Sequence, residues 1–215
     1  GLSTTLGTGD VVMFGDAGSK VSLTNGFTYE AASNITSVQP NQGQYGTRVS
    51  IFGALLFGNN PPSGTTLEFV SLAGVNSTIL SSNATLIVVE AAANSGAVTG
   101  DVVVQASTGA LVILANGFSY NVAGAVSSVS PSSGQVGTIV TISGSALLGG
   151  SGGVSSVSLK GIAVSSVVRA NNTQIVVVAA GSSSAGLGLV RIVSDSGAIV
   201  EEANGFEYLV ASTIS

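Results

Sequence analysis

The chain has 215 residues and contains no Cys, His or Trp, so it has no disulfide framework, no thiolate metal site and none of the commonest general base. Charged residues make up 7% of it, and a net charge of −5 with only five Lys and Arg argues against a nucleic-acid-binding surface. What remains is a neutral surface of Ser, Thr, Gly and Asn, which repels itself weakly and favours self-association.

In chain order, residues 1–30 read as a pair of strands ending in Asn25-Gly-Phe-Thr-Tyr29, with Gly9-Asp10-Val11-Val12 matching Gly100-Asp101-Val102-Val103 further on. A pair of strands alone cannot bury a core. Short runs rich in Val, Ile and Thr follow, separated by Gly, Ser, Asn and Pro clusters, as in an all-β sandwich. The first set predicts strands near Ile35–Val38, Arg48–Gly53, Thr66–Phe69, Thr78–Leu80, Leu86–Glu90, Gly100–Gln105 and Phe118–Tyr120. The second predicts Val126–Val129, Ile139–Ser143, Ser155–Leu159, Val164–Arg169, Gln174–Val178, Gly188–Val193 and Phe206–Tyr208. Seven strands per set is an immunoglobulin-like number.

The two sets are copies. Pro40, Gly43, Gly46, Thr47, Val49, Ile51 and Gly53 recur 91 residues later as Pro131, Gly134, Gly137, Thr138, Val140, Ile142 and Gly144. Asn-Gly-Phe-x-Tyr occurs three times, starting at Asn25, Asn116 and Asn204, at spacings of 91 and 88. A period near ninety marks a tandem array. The expected division is a partial repeat over 1–30, complete repeats over 31–121 and 122–209, and the start of another, or a linker, over 210–215. Proline ends the pairing of the opening strand. The glycines at 43 and 46 are expected at positive φ to turn the chain back, and Asn-Gly is expected to form a turn. Phe and Tyr, two residues apart, share one face, which is expected to be core.

Residues 102–159 carry no charge, yet Gly, Ser, Asn and Pro interrupt every apolar piece. Runs such as Val102–Val104 fall far short of the ~20 residues needed to span a bilayer, so no membrane span is expected here. No secretory leader is visible, and any such segment would lie upstream.

Pro131–Gly144 (PSSGQVGTIVTISG), its counterpart Pro40–Gly53 (PNQGQYGTRVSIFG), the closing NGFxY element and Asn171–Val178 (NNTQIVVV) together resemble the IPT/TIG domain. The resemblance covers nearly the whole chain. It implies tandem immunoglobulin-like β-sandwiches of the kind found in plexin ectodomains, microbial surface proteins, accessory modules of sugar-processing enzymes and Rel-type transcription factors. It implies little about activity.

The only possible catalytic stock is ten scattered acidic residues. Neither the facing carboxylate pair of a glycosidase nor a calcium-loop spacing is present, and without His or Cys no activated serine of the Ser-His type can form. Asp10 and Asp101 are repeat equivalents, but Leu189 stands at that place in the last copy, which suits a role in a turn rather than as a ligand. Glu201 and Glu202 are expected on a solvated edge before the last strand, where charge opposes stray strand pairing. Gly149, Gly150, Gly152 and Gly153 lack the Lys of a phosphate loop and read as a flexible loop.

Four Asn-x-Thr sequons, at Asn34, Asn76, Asn83 and Asn171, are candidates for N-linked glycans if the chain is secreted from a eukaryote. Asn also suits a turn before a strand, which is the competing explanation. Phe57 is the loop aromatic best placed for binding a glycan or protein at a sandwich end. No catalytic, metal-binding or cofactor-binding residue emerges.

The resulting expectation is a non-enzymatic, extracellular or cell-surface structural repeat protein. It builds a rod or filament from stacked domains by self-association; the orphan strands are expected either to belong to a unit of a longer chain or to complete a neighbour's sheet. The alternative is an adhesion or binding ectodomain that recognises its ligand through sandwich-end loops.

Overall fold

The computed structural model describes residues 7–58 and 61–210, so most of the expected 210–215 segment lies outside the described residues. Twenty strands and no helix are present among them. The first two, β1 (Gly7–Phe14) and β2 (Lys20–Tyr29), form a hairpin that pairs with no other strand.

Nine strands follow in the first sandwich: β3 (Asn34–Gln39), β4 (Gln42–Gly43), β5 (Arg48–Ala54), β6 (Leu67–Leu72), β7 (Val75–Asn76), β8 (Thr78–Ser82), β9 (Leu86–Glu90), β10 (Val98–Ala106) and β11 (Leu111–Tyr120). One sheet runs β3-β5-β9-β8 and the other β4-β11-β10-β6-β7. The second sandwich repeats this with β12 (Ala125–Ser130), β13 (Ser133–Gly134), β14 (Ile139–Ser145), β15 (Val154–Leu159), β16 (Ile162–Ala163), β17 (Ser166–Ala170), β18 (Gln174–Val178), β19 (Gly186–Ser194) and β20 (Ile199–Tyr208). Its sheets are β12-β14-β18-β17 and β13-β20-β19-β15-β16. The seven expected strands are thus present in each copy, with two two-residue strands added at sheet edges. The fold is all-β, two immunoglobulin-like sandwiches in tandem.

Period-two alternation builds the cores. In β5, Val49 and Ile51 are fully buried while Arg48 and Phe52 face out; across the sheet, Ile51 stands opposite Ile87 and Val49 opposite Val89. Val102, Val104 and Phe118 close the first core from the other sheet, as Val190, Ile192 and Phe206 close the second. Each such side chain contributes roughly 1.5–3 kcal/mol on burial, and each sandwich carries its own cluster. Burial pushes the Tyr120 and Tyr208 phenols up from their ordinary pKa.

Three local expectations need correcting. Gly46 and Gly137 take positive φ (+83° each), but Gly43 and Gly134 do not. A Cβ at Gly43 would lie 2.5 Å from Thr47 Oγ1, and at Gly134 2.5 Å from Thr138 Oγ1, so close approach requires these glycines. The Asn-Gly pair is not a hairpin turn. Asn25, Asn116 and Asn204 take φ of +53°, +51° and +55° inside β2, β11 and β20, at bulges where the register with the preceding strand slips. Glu201 and Glu202 lie within β20, not before it, and Glu201 forms a 3.0 Å ion pair with Arg191 of β19.

Candidate interaction surfaces

The bulge assigns Asp10 and Asp101 their role. The carboxylate of Asp101 accepts the Asn116 N–H at 2.9 Å, and Asp10 accepts that of Asn25 at 2.8 Å. Each thus satisfies a backbone donor that the slipped ladder leaves free. Among the described residues, no group of three or more acidic side chains is placed to hold a metal ion.

All four sequon asparagines are exposed. Asn34 opens β3 and Asn76 closes β7. Asn83 Oδ1 accepts the Thr85 N–H and hydroxyl at 2.9 and 3.0 Å and the Leu86 N–H at 2.9 Å. Asn171 repeats this with Thr173 and Gln174 at 2.9, 3.0 and 2.8 Å. At these two sites the turn into β9 and β18 itself needs Asn and Thr at that spacing.

Phe57 is half-buried. With Phe27 of the hairpin, Pro61, Pro62 and Leu111 it lines a 650 Å³ groove between the hairpin and the first sandwich.

The hairpin is an unfinished sheet. Val11, Met13, Val21, Leu23, Phe27 and Tyr29 correspond, 91 residues on, to Val102, Val104, Val112, Leu114, Phe118 and Tyr120. Phe118 is fully buried, whereas Phe27 is 56% exposed. Yet the rings already hold their sandwich geometry. The Phe27 and Tyr29 centroids are 5.1 Å apart at 75°, against 5.2 Å and 80° for Phe118 and Tyr120. In the sandwich, β10 pairs with β6 and β11 with β4; the corresponding edges of β1 and β2 are unpaired among the described residues.

A third surface, the joint between the sandwiches, has no signal in the sequence. Gln44 is buried there and accepts the Gly124 N–H at 2.8 Å. The Ile199 N–H donates to the Tyr45 carbonyl, and the Arg48 N–H to that of Ser196, both at 2.8 Å. Gly149, expected in a flexible loop, is part of this joint: a Cβ on it would lie 2.4 Å from Ala198 Cβ and 3.1 Å from Gln44 Cγ and Cδ. Beside these contacts lies a 310 Å³ cleft that gathers Arg48 and Glu90 from the first sandwich and Arg191 and Asp195 from the second. No helix among the described residues is long and apolar enough to cross a membrane.

No curated protein sequence shows significant similarity to the chain. Among solved structures, the chain is similar to the plexin A4 full extracellular region, with 22% identity over 82% of this chain and a TM-score of 0.52. It is also similar to SGBP-B from a Bacteroides uniformis xyloglucan utilization locus (20% identity, 82% of this chain, TM-score 0.33) and to SGBP-B from the Bacteroides ovatus mixed-linkage glucan utilization locus (17%, 96%, 0.33). The chain spans 15% of the plexin's length and 49% and 54% of the two SGBP-B chains. The IPT/TIG domain profile matches residues 33–122 and again residues 125–208. These two matches, each falling on one nine-stranded sandwich, place the chain in the IPT/TIG domain family.

Proposed function

We propose that the chain is a non-enzymatic structural module of an extracellular or cell-surface array, assembled by contacts between chains. The observation that carries this reading is the hairpin. Six apolar side chains whose equivalents form the sandwich core or pack against it stand exposed on a two-stranded sheet whose edges pair with no other strand among the described residues. Covering each would contribute roughly 1.5–3 kcal/mol, and the free edges offer backbone hydrogen bonds to an added strand. Low charge lets neutral faces approach without repulsion. The extracellular setting is that of the plexin region with which the chain shares its fold, and glycans at the four exposed asparagines would hydrate a surface poor in charge.

The test replaces Phe27 and Tyr29 with Ser. Neither residue belongs to either core, so F27S/Y29S is expected to keep the parent's thermal unfolding midpoint and lose its assemblies in electron micrographs. Undiminished assembly would contradict this reading.

A second reading, a glycan- or protein-binding ectodomain, draws on the groove that brings Phe27 and Phe57 together, because paired aromatics suit stacking on a ligand. Loss of ligand binding in Phe57→Ala, with assembly unchanged, would favour it.

A further inference from the structure

The joint between the sandwiches is built from positions that recur at both ends of the chain, where their chemistry changes in a concerted way. On the far rim of the first sandwich, Arg48 and Glu90 are cross-strand neighbours on β5 and β9. They share a cleft with Arg191 and Asp195 of the second sandwich, where Arg191 is ion-paired with Glu201. At the repeat offsets of 91 and 88, the far rim of the second sandwich carries Ile139 for Arg48 and Val178 for Glu90. These are again cross-strand neighbours. The near rim of the first sandwich carries Val103 for Arg191, Ile113 for Glu201 and Ser107 for Asp195, with Val103 opposite Ile113. Charged residues of both sandwiches line the cleft at the internal joint, and uncharged, mostly apolar pairs stand at the equivalent positions of the two outer rims.

Burial follows occupancy. Gln44, Gly46 and Thr47, covered by the neighbouring sandwich, are buried; their equivalents Gln135 and Thr138 are only partly buried and Gly137 is exposed. Ala198 is fully buried at the joint, whereas Ala110 at the free near rim is not. Ile139 is 63% exposed and Leu111, equivalent to Ile199, 54%.

We infer that the far rim of the second sandwich docks a second copy of this chain, on the near rim of that copy's first sandwich. The contact reproduces the internal joint with an apolar set, Ile139 and Val178 against Val103, Ile113 and Leu111, in place of the charged one. Arg191 has its ion-pair partner, Glu201, within its own sandwich, so the match across this contact rests on its apolar side chains rather than on charge. The second copy's hairpin flanks the docking groove with Phe27 and Glu30, in the lane where the closing strands of the docked sandwich run. The hairpin and the docked rim thus compete for this groove.

This inference rests on the reading of the chain as a self-assembling module, and a chain starting at Ala31 separates the two. It lacks the hairpin but keeps every residue of both cores, so its association reports rim docking alone. In sedimentation velocity, the Ala31 chain is expected to associate with increasing concentration, and more tightly than the full chain. I139R/V178E in the Ala31 chain is expected to weaken association about 100-fold, because docking would desolvate the new Arg–Glu pair against an apolar near rim. Mixing it with V103R/S107D/I113E, which recreates the charged near rim, is expected to restore association between the two variants. An Ala31 chain that stays monomeric up to about 1 mM, a concentration at which even weak specific contacts register, would overturn the inference. So would I139R/V178E associating as well as its parent. Hairpin-dependent assembly of the full chain would survive either result.

Discussion

Asn171 shows how one residue serves two readings at once. Its Oδ1 takes three hydrogen bonds that turn the chain into β18, so the sequon at this site has a reason that needs no glycan. Each bond contributes about 0.5–1.5 kcal/mol net. Asn171→Ala, in protein made without glycosylation, is expected to lower unfolding stability by about 1–2 kcal/mol, measured by urea denaturation. No loss would leave glycan attachment as the better reason for that Asn. Mass spectrometry of the native protein at Asn34, Asn76, Asn83 and Asn171 addresses the glycans directly.

At the scale of elements, the bulge in each closing strand joins a backbone need to a side chain. Asp101 lies on β10 and accepts the N–H that positive φ at Asn116 turns out of the ladder. Asp101→Ala is expected to destabilise the first sandwich by about 0.5–1.5 kcal/mol. The second sandwich, with Leu189 in that place, is expected to be unaffected, and hydrogen exchange resolved along the chain distinguishes the two. The strands themselves were legible in the sequence, because alternation such as Val49, Ile51 against Arg48, Phe52 is a local property. The bulge was not, since Asn-Gly signals positive φ without saying whether a turn or a slipped register absorbs it. Gly43 is ambiguous for a related reason: a close approach to Thr47 and a positive φ leave the same letter in the sequence. The joint was invisible because Gln44, Gly124 and Gly149 are far apart in the chain, and only the fold brings them together.

At the scale of the whole molecule, two complete sandwiches stand beside a hairpin that has the geometry of a third without its core. The hairpin remains the part with most to gain from a partner, since the Phe27–Tyr29 pair already matches its buried counterparts. The most direct test is electron cryo-microscopy of the native assembled material at a resolution that shows side chains. The account predicts a regular array in which Phe27 and Tyr29 are covered by strands of a neighbouring chain. Single flexible rods, with residues 7–29 completed by an upstream part of the same polypeptide, would contradict it.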